Sequence, residues 1–394
     1  MKSAIRVTGH KRTFLLVVTS FIIILASVSF LKAEERVYWG ARIRGSNYGV
    51  GDPPWDPTAI DIFENHAGKK ISILHWGQPW WHCGDICRYQ MFDFQKSQYE
   101  AVRQRGYIPL VNWASYDYAA PELLNQPEFS LSTIINGQHD EYIRQWATQA
   151  RDWGHPFFLN FNWEMNGWWF PWSERVNGNQ PGQYVQAWRH VHDLFVEVGT
   201  QNVTWVWCPN VINPNTIPLE TLYPGDEYVD WLCMDGYNYG THPAMPNEWR
   251  SFADVFGQTY ATLQRLSPNK PIMIAETAST EEGGSKASWI RNAFIYTLPE
   301  VFPKVKAVLW FNWNLDGMDW AMESSPASQG AFAQGIASRY YTENQFSDLS
   351  VSPIPPWDEL NRPMQRILNF IVRKPGFSGG YSILIQTWSQ LTRQ

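Results

Sequence analysis

Apolar runs of strand length alternate with amphipathic segments over most of the chain. Eight such runs lie between residues 36 and 311, and each but the last is followed by enough chain for a helix. The runs are 36–42, 71–76, 107–113, 157–164, 203–208, 231–237, 271–276 and 305–311. This alternation predicts a parallel sheet closed into a (β/α)8 barrel, in which active-site residues lie at the C-terminal ends of the strands.

Helical periodicity is clearest between residues 140 and 152. Ile143, Trp146 and Ala150 share one face of the predicted helix, and Gly154 ends it. The same kind of pattern predicts further helices at 58–68, 97–105, 182–198, 252–266 and 285–298. Residues 114–137 are predicted to form a long loop.

The two ends of the chain differ from this pattern. Basic residues at the N-terminus precede an uncharged segment that runs from Phe14 to Leu31. This is typical of a secretion signal over residues 1–33, and an uncleaved membrane anchor is the alternative. Either interpretation places the protein outside the cytoplasm. Residues 34–345 form the predicted barrel domain, and 346–394 are an extension of unknown role.

Charge and aromatic content narrow the class of partner. Five of the 31 Lys and Arg residues lie in residues 1–33, which contain no Asp or Glu, so 26 basic residues face 37 acidic ones in the remainder. This balance argues against a nucleic-acid partner. The chain has 23 Trp, 18 Tyr and 21 Phe, and such rings pack well against sugars. An aromatic-rich core is the alternative explanation.

Two glutamates stand where apolar runs end. Glu164 ends the fourth run and is followed by the turn pair Asn166-Gly167 and a cluster of Trp residues. Glu276 ends the seventh run and is followed by small turn residues. Glu is rarely buried unless it is paired. Two carboxylates at the ends of different barrel strands are what hydrolysis of a glycosidic bond requires, so we predict a catalytic pair.

The four cysteines are predicted to have structural roles. Cys83 and Cys87 lie four residues apart in a loop, and in an oxidising compartment they are expected to form a disulfide. No second Cys or His pair lies near His82, which disfavours zinc. Cys208 and Cys233 end two apolar runs and are either buried thiols or a second bridge. We expect no metal and no organic cofactor.

The sequence resembles glycoside hydrolase family 26 over roughly residues 38 to 340. The resemblance is carried by Glu164-Met165-Asn166-Gly167 followed by Trp169-Phe170-Pro171-Trp172, and by Ile274-Ala275-Glu276-Thr277. It implies that Glu164 is the acid/base and Glu276 the nucleophile of a retaining, endo-acting hydrolase of β-linked polysaccharide. It also implies that Tyr237 supports the nucleophile and that Trp169 and Trp313 contact sugar.

The substrate is less constrained than the chemistry. Many mannanases of glycoside hydrolase family 26 have His where this chain has Trp163, and Arg where it has Asn160. β-1,4-Mannan is the first expected substrate, and β-1,3-1,4-glucan is the alternative. A non-catalytic carbohydrate-binding barrel is the rival from another class. We expect the protein to be a monomer. Besides Trp169 and Trp313, the residues expected to contact sugar are Trp163, Asn112 and Trp113.

Overall fold

A closed barrel of parallel strands forms the centre of the molecule. The computed structural model describes residues 35–82, 90–243, 248–315 and 317–360. The barrel strands are β1 (Tyr38–Ile43), β2 (Ile73–His82), β3 (Ile108–Asp117), β4 (Phe157–Phe161), β5 (Val203–Trp207), β6 (Trp231–Asn238), β7 (Ile272–Ser279) and β8 (Val305–Asn312). Each strand pairs in parallel with its neighbour in sequence, and β1 also pairs with β8. The prediction of a (β/α)8 barrel is confirmed.

The strands are apolar along their whole length because both of their faces are covered. Every residue of β4, β5 and β7 is buried, on one side by the barrel interior and on the other by helices. This explains why the sequence shows continuous apolar runs instead of a strict alternation of apolar and polar residues.

Helices surround the barrel on its outer face. They are α1 (Thr58–Ala67), α2 (Lys96–Gln104), α3 (Leu131–Ile135), α4 (Asp140–Trp153), α5 (Gln183–Glu197), α6 (Phe252–Leu266), α7 (Lys286–Arg291), α8 (Leu298–Val301), α9 (Pro326–Ile336) and α10 (Trp357–Leu360). Helix α4 ends at Gly154, which has a positive φ of 78°. Helix α6 begins with a capping box between Ser251 and Asp254.

Three segments differ from the sequence prediction. Strands β2 and β3 run past Trp76 and Trp113, because their C-terminal halves continue to pair with each other. The predicted loop 114–137 therefore includes the end of β3, and it also contains α3. The predicted helix 285–298 is α7 followed by a π-helical segment, Asn292–Thr297, which leads into α8.

Most of the tryptophans serve the core. The largest fully buried side chains include nine of them: Trp39, Trp80, Trp113, Trp146, Trp172, Trp188, Trp207, Trp231 and Trp310. The aromatic content of the sequence is therefore largely explained by packing between the barrel and its helices.

The chain after the last barrel helix lines the N-terminal end of the barrel. The hydroxyl of Tyr38 donates to the carbonyl of Pro355 at 2.8 Å, and the indole N–H of Trp231 donates to Ile354 at 2.8 Å. The backbone N–H of Ile354 donates to the hydroxyl of Thr204 at 2.8 Å. These residues belong to one compact unit, Arg36–Trp357.

Two predictions fall wholly outside the described residues. They are the signal or anchor at 1–33 and the disulfide between Cys83 and Cys87. Within the described ranges, no helix combines the length and the apolar character that a membrane span requires.

Gly40 marks a close approach between barrel strands and generates a prediction. It pairs with Ile73 of β2 and Leu309 of β8, and a Cβ at this position would collide with the carbonyl oxygen of Ile73. We expect Gly40→Ala to lower the free energy of unfolding by about 2 kcal/mol or more, since the strands must separate. Denaturant unfolding measures this change.

Gly257→Ala is the matched control, because a Cβ at residue 257 of α6 would meet no other atom within 4 Å. Alanine is the better helix former, so this variant is expected to be neutral or more stable by up to about 1 kcal/mol. Equal stability of the two variants would contradict the argument from strand spacing.

Candidate active site

Glu164 lies on a strained turn just beyond β4. Asn162 and Glu164 have positive φ values of 46° and 53°, a conformation that costs energy for residues other than glycine. The turn is held by the backbone N–H of Glu164, which donates to the carbonyl of Cys208 at 2.7 Å, and by the side chain of Asn162, which accepts from the N–H of Ser115 at 2.9 Å. The turn thus directs the Glu164 carboxyl into the mouth of the barrel.

Two N–H donors fix the carboxyl group of Glu164. The indole N–H of Trp169 donates to Oε2 at 2.6 Å, and the amide of Asn210 donates to Oε1 at 2.8 Å. Asn210 is itself held by Asn166, which exchanges two hydrogen bonds with its backbone, at 2.8 and 2.9 Å. A Cβ on Gly167 would lie 2.5 Å from the Trp169 ring, so glycine is required for this ring to reach Glu164.

The environment of Glu164 favours its protonated form. Burial and the neighbouring charge of Glu276 raise the pKa of Glu164 from 4.5 to about 7, and the two N–H donors only partly oppose this. The side chain is 8% exposed. At neutral pH this carboxyl can therefore both give and take a proton.

Glu276 of β7 has the opposite electrostatic environment. Its Oε1 accepts from the guanidinium of Arg42 at 2.6 Å and from the amide of Asn112 at 3.4 Å, and its Oε2 accepts from the hydroxyl of Tyr237 at 2.5 Å. Burial alone would raise the pKa of Glu276, but the charge of Arg42 and the hydrogen bonds from Arg42 and Tyr237 outweigh this effect and lower the pKa. Glu276 is therefore ionised at neutral pH.

His75 also lies near Glu276, and its imidazole lowers the pKa of that carboxyl only when it is protonated. Its Nδ1 is 3.8 Å from Oε1 of Glu276. Because burial lowers the pKa of His75 to about 4, the imidazole is neutral at neutral pH. The positive charge beside Glu276 is that of Arg42.

Three carboxyl groups meet at the centre of the site. One oxygen each of Glu164, Asp235 and Glu276 all lie within 4.8 Å of one another. Asp235 is fully buried, and burial together with the charges of Glu276 and Glu164 raises its pKa well above the usual value. Burial and these two neighbouring charges thus favour the protonated form of Asp235, whereas Arg42 favours the ionised form of Glu276.

This cluster of carboxyl groups is better suited to proton transfer than to metal binding. The oxygens of Glu164 and Glu276 already accept hydrogen bonds, and the guanidinium of Arg42 places a positive charge beside the cluster. A second group of possible ligands combines Asp235 with Cys208 and Cys233. Those sulfurs form a disulfide and are not available as thiolates.

The disulfide settles an alternative that the sequence left open. Cys208 follows β5 and Cys233 lies on β6, and the structure joins them as a bridge instead of leaving two thiols. The bridge connects the segment that accepts the backbone N–H of Glu164 to the strand that carries Asp235 and Tyr237.

The aromatic residues that were predicted to contact sugar differ in their exposure to solvent. Trp169 is partly exposed beside Glu164, and Trp313 is partly exposed with its ring stacked on Phe311 and 5.4 Å from the guanidinium of Arg42. Trp163 is 5% exposed and packs against Trp172. Sugar contact by these rings stays a prediction.

Trp113 does not face the cleft. It is fully buried, and its ring stacks on Trp146 of α4 at 4.6 Å. Side chains alternate along a strand, so Trp113 points to the helices while its neighbour Asn112 points inward to Glu276. This placement contradicts the prediction that Trp113 contacts substrate.

Four residues of the site were not predicted from the sequence: Arg42, His75, Asn210 and Asp235. Arg42, His75 and Asp235 share one signal, a polar side chain within an apolar barrel strand. Such a residue needs a partner inside the barrel. Asn210 lies two residues beyond the fifth apolar run, where the sequence offers no comparable signal.

Comparison with known sequences agrees with the geometry. The sequence model described as "Glycosyl hydrolase family 26" matches residues 54–313. The chain is 33% identical over 326 residues to Endoglucanase H of Acetivibrio thermocellus. This alignment covers 81% of this chain and 33% of that protein. The chain is 26% identical over 156 residues to Mannan endo-1,4-beta-mannosidase A and B of Caldalkalibacillus mannanilyticus. This second alignment covers 38% of this chain and 26% of that protein. The chain thus spans about a third of the first relative's length and less of the second's.

Solved structures share the fold. The catalytic domain of the GH26 endo-β-1,4-mannanase of Bacillus sp. JAMB-750 is 16% identical, with a TM-score of 0.58 over 81% of this chain and 92% of that one. The GH26 β-mannanase of Bacteroides ovatus is also 16% identical, with a TM-score of 0.55 over 84% of this chain and 98% of that one.

The raised pKa of Glu164 predicts a pH-dependent stability difference. In the unfolded chain this carboxyl loses its proton near 4.5, whereas in the folded protein it does so near 7, so rising pH between these values favours unfolding. Glu164→Gln removes this titration. We expect the melting temperature of the variant, relative to wild type, to rise from about pH 4 to about pH 8.

Thermal unfolding of both proteins at several pH values measures this difference. Gln also places a donor against Trp169 or Asn210, but the resulting loss does not depend on pH and cancels in the comparison. The same difference in melting temperature at every pH would show that Glu164 titrates normally.

Proposed function

The chain belongs to glycosyl hydrolase family 26, and from this membership and the geometry of its two glutamates we propose that it is an endo-acting, retaining hydrolase of β-linked polysaccharide. The observation that carries the proposal is the Glu164–Glu276 pair. Their oxygens lie within 4.8 Å of each other, and their pKa values are displaced in opposite directions. A short separation favours direct attack by one carboxylate, since an inverting enzyme needs about 6.5–9.5 Å to place a water.

In the first step, Glu276 attacks the anomeric carbon of the sugar. A glycosyl ester bond forms as the glycosidic C–O bond breaks, and Glu164 gives its proton to the departing oxygen. The hydrogen bonds from Trp169 and Asn210 stabilise the Glu164 carboxylate that results. Arg42 and Tyr237 hold the two oxygens of Glu276 in place for attack.

In the second step, water attacks the same carbon from the side that the leaving group has vacated. Glu164 takes a proton from this water, the ester bond breaks, and Glu276 is released as a carboxylate. A pKa of about 7 suits both roles, because Glu164 must be acidic in one step and basic in the next.

A β-glucan is the first substrate that we propose. The relative named Endoglucanase H is aligned over 81% of this chain, whereas the relative named as a mannosidase is aligned over 38%. This order reverses the one expected from the sequence. β-Mannan is the second candidate, since the two solved structures compared above are described as mannanases.

We also propose that the protein acts outside the cytoplasm. The uncharged N-terminal segment from Phe14 to Leu31 supports export, and a polymeric substrate is too large to enter a cell intact. Expression of the full chain, followed by fractionation into medium, membrane and cytosol, tests this proposal. Retention of all the protein in the cytosol would contradict it.

Reducing-sugar release on a panel of polysaccharides tests the function. The panel contains barley β-glucan, glucomannan, galactomannan and β-1,3-xylan, and proton NMR of the first product reports whether its anomeric configuration is retained. Release from barley β-glucan with a β-configured product is the expected result. Binding without release from any polymer would favour the non-catalytic carbohydrate-binding barrel.

Glu276→Ala is expected to lower hydrolysis at least about 10⁴-fold while the protein stays folded and binds polysaccharide, because the variant lacks the carboxylate that forms the ester. The matched control is Glu64→Ala, which removes another buried glutamate, one that accepts from the backbone of Ile71. This control should keep its activity at temperatures where it is folded. Retention of more than about one per cent of activity by Glu276→Ala would refute its role.

Glu164→Ala is expected to affect substrates unequally. Hydrolysis of the natural polymer should fall about 10²–10⁴-fold, since the leaving oxygen needs a proton. Formation of the glycosyl ester from an aryl glycoside with a good leaving group should be nearly unchanged, and only the second step should slow. Burst kinetics on the aryl glycoside separate the two steps, and equal loss of the first step on both substrates would exclude an acid role.

A further inference from the structure

A buried lysine lies behind the site and has no part in the chemistry proposed above. Lys286 is the first residue of α7 and is fully buried. Its Nζ donates to the carbonyl of Asp319 at 3.0 Å and to the carbonyl of Ala321 at 2.6 Å. Lys286 thus connects the segment that follows β7, the strand of Glu276, to the loop that follows β8.

The two carbonyls that Lys286 binds flank Trp320. The carbonyl of Trp320 itself accepts from the indole N–H of Trp310 at 3.1 Å. The backbone N–H of Ala321 donates to the side chain of Asp319 at 3.1 Å, and that of Met322 donates to the side chain of Asn312 at 2.7 Å. The backbone on both sides of Trp320 is therefore fixed, and Lys286 supplies two of these hydrogen bonds.

Trp320 in turn packs against the tyrosine that holds Glu276. Its ring centroid lies 5.1 Å from that of Tyr237 and 5.3 Å from that of Tyr239, and it is 3% exposed. Tyr237 donates to Oε2 of Glu276 at 2.5 Å. A displacement of Trp320 would remove the support on one side of the Tyr237 ring.

We propose that Lys286 is a positioning residue for the nucleophile, which it keeps aligned through Trp320 and Tyr237. The proposal rests on the role of Glu276 given under the proposed function. It assigns to Lys286 no contact with substrate. Its effect is to keep the Tyr237 hydroxyl within hydrogen-bond distance of Glu276.

The position of Lys286 is costly, which argues that its hydrogen bonds are needed. A buried ammonium group loses its hydration, and burial lowers the pKa of Lys286 to about 8. The negative charges of Asp319, Glu281 and Glu323 oppose this lowering of the pKa. The ring of Trp310 lies 5.9 Å from Nζ. An apolar residue would avoid the cost of burial but would leave the carbonyls of Asp319 and Ala321 without this donor.

The test compares Lys286→Met with the matched control Lys69→Met. Methionine keeps an unbranched chain of similar size and removes the donor. Lys69 donates to the carbonyl of Ser338 at 2.8 Å near the start of β2, at the other end of the barrel. Crystal structures are the first readout, because they do not depend on activity. We expect the distance from the Tyr237 hydroxyl to Glu276 to exceed hydrogen-bond length in Lys286→Met, and an unchanged distance would overturn the proposal.

Kinetics on the polysaccharide that the wild type cleaves are the second readout. We expect kcat of Lys286→Met to fall about tenfold with little change in KM, since a misplacement of about 1 Å can cost about 100-fold. The acid limb of the pH profile should move to higher pH, because Glu276 loses a hydrogen bond that lowers its pKa. Lys69→Met should match wild type in both measurements.

A double-mutant cycle separates this positioning effect from general loss of stability. Lys286→Met combined with Tyr237→Phe should be no slower than Tyr237→Phe alone, whereas additive losses would overturn the proposal. If Lys286→Met does not fold, Trp320→Phe replaces it. That variant should show the same shift of the acid limb, and a wild-type pH profile would count against the inference. If wild type cleaves no polymer, the proposed function fails, and the crystal structures alone decide the role of Lys286.

Discussion

The arrangement of the site depends on the charge of Arg42. Glu164 and Glu276 lie within 4.8 Å of each other, where two negative charges repel by about 3–4 kcal/mol at an effective dielectric constant of about 20. Arg42 resolves this conflict by pairing with Glu276, which leaves Glu164 as the group that keeps its proton. One cation therefore assigns different protonation states to two chemically identical side chains.

The barrel makes this assignment possible by bringing distant strands together. Arg42 and Glu276 are 234 residues apart, on β1 and β7, and they meet because β1 closes the barrel against β8. Gly40, where β1 closely approaches β2, lies on the same strand as Arg42. The stability of the fold and the charge of Glu276 are thus linked through the position of one strand.

Sequence patterns predicted the barrel and both glutamates because each depends on local order. Apolar runs mark strands buried on both faces, and Glu164 and Glu276 stand out where these runs end. Arg42 could be seen only as a charged residue in an apolar strand, because its partner is set by closure of the barrel. Trp113 was misplaced because an aromatic residue near a strand end fits either face, although alternation from the inward-facing Asn112 indicates the outer one.

The segment that lines the N-terminal end of the barrel has a consequence for synthesis of the protein. The hydrogen bond between Tyr38 and Pro355 joins residues that are 317 positions apart in the sequence. In the same region, Ile354 forms hydrogen bonds with Thr204 and Trp231. A nascent chain that has released β1 from the ribosome must wait for more than three hundred further residues before these groups find their partners. Such distant contacts slow folding. During translation, the first strands therefore carry unsatisfied polar groups and exposed apolar faces, which makes this interval the one in which the chain most needs protection from aggregation.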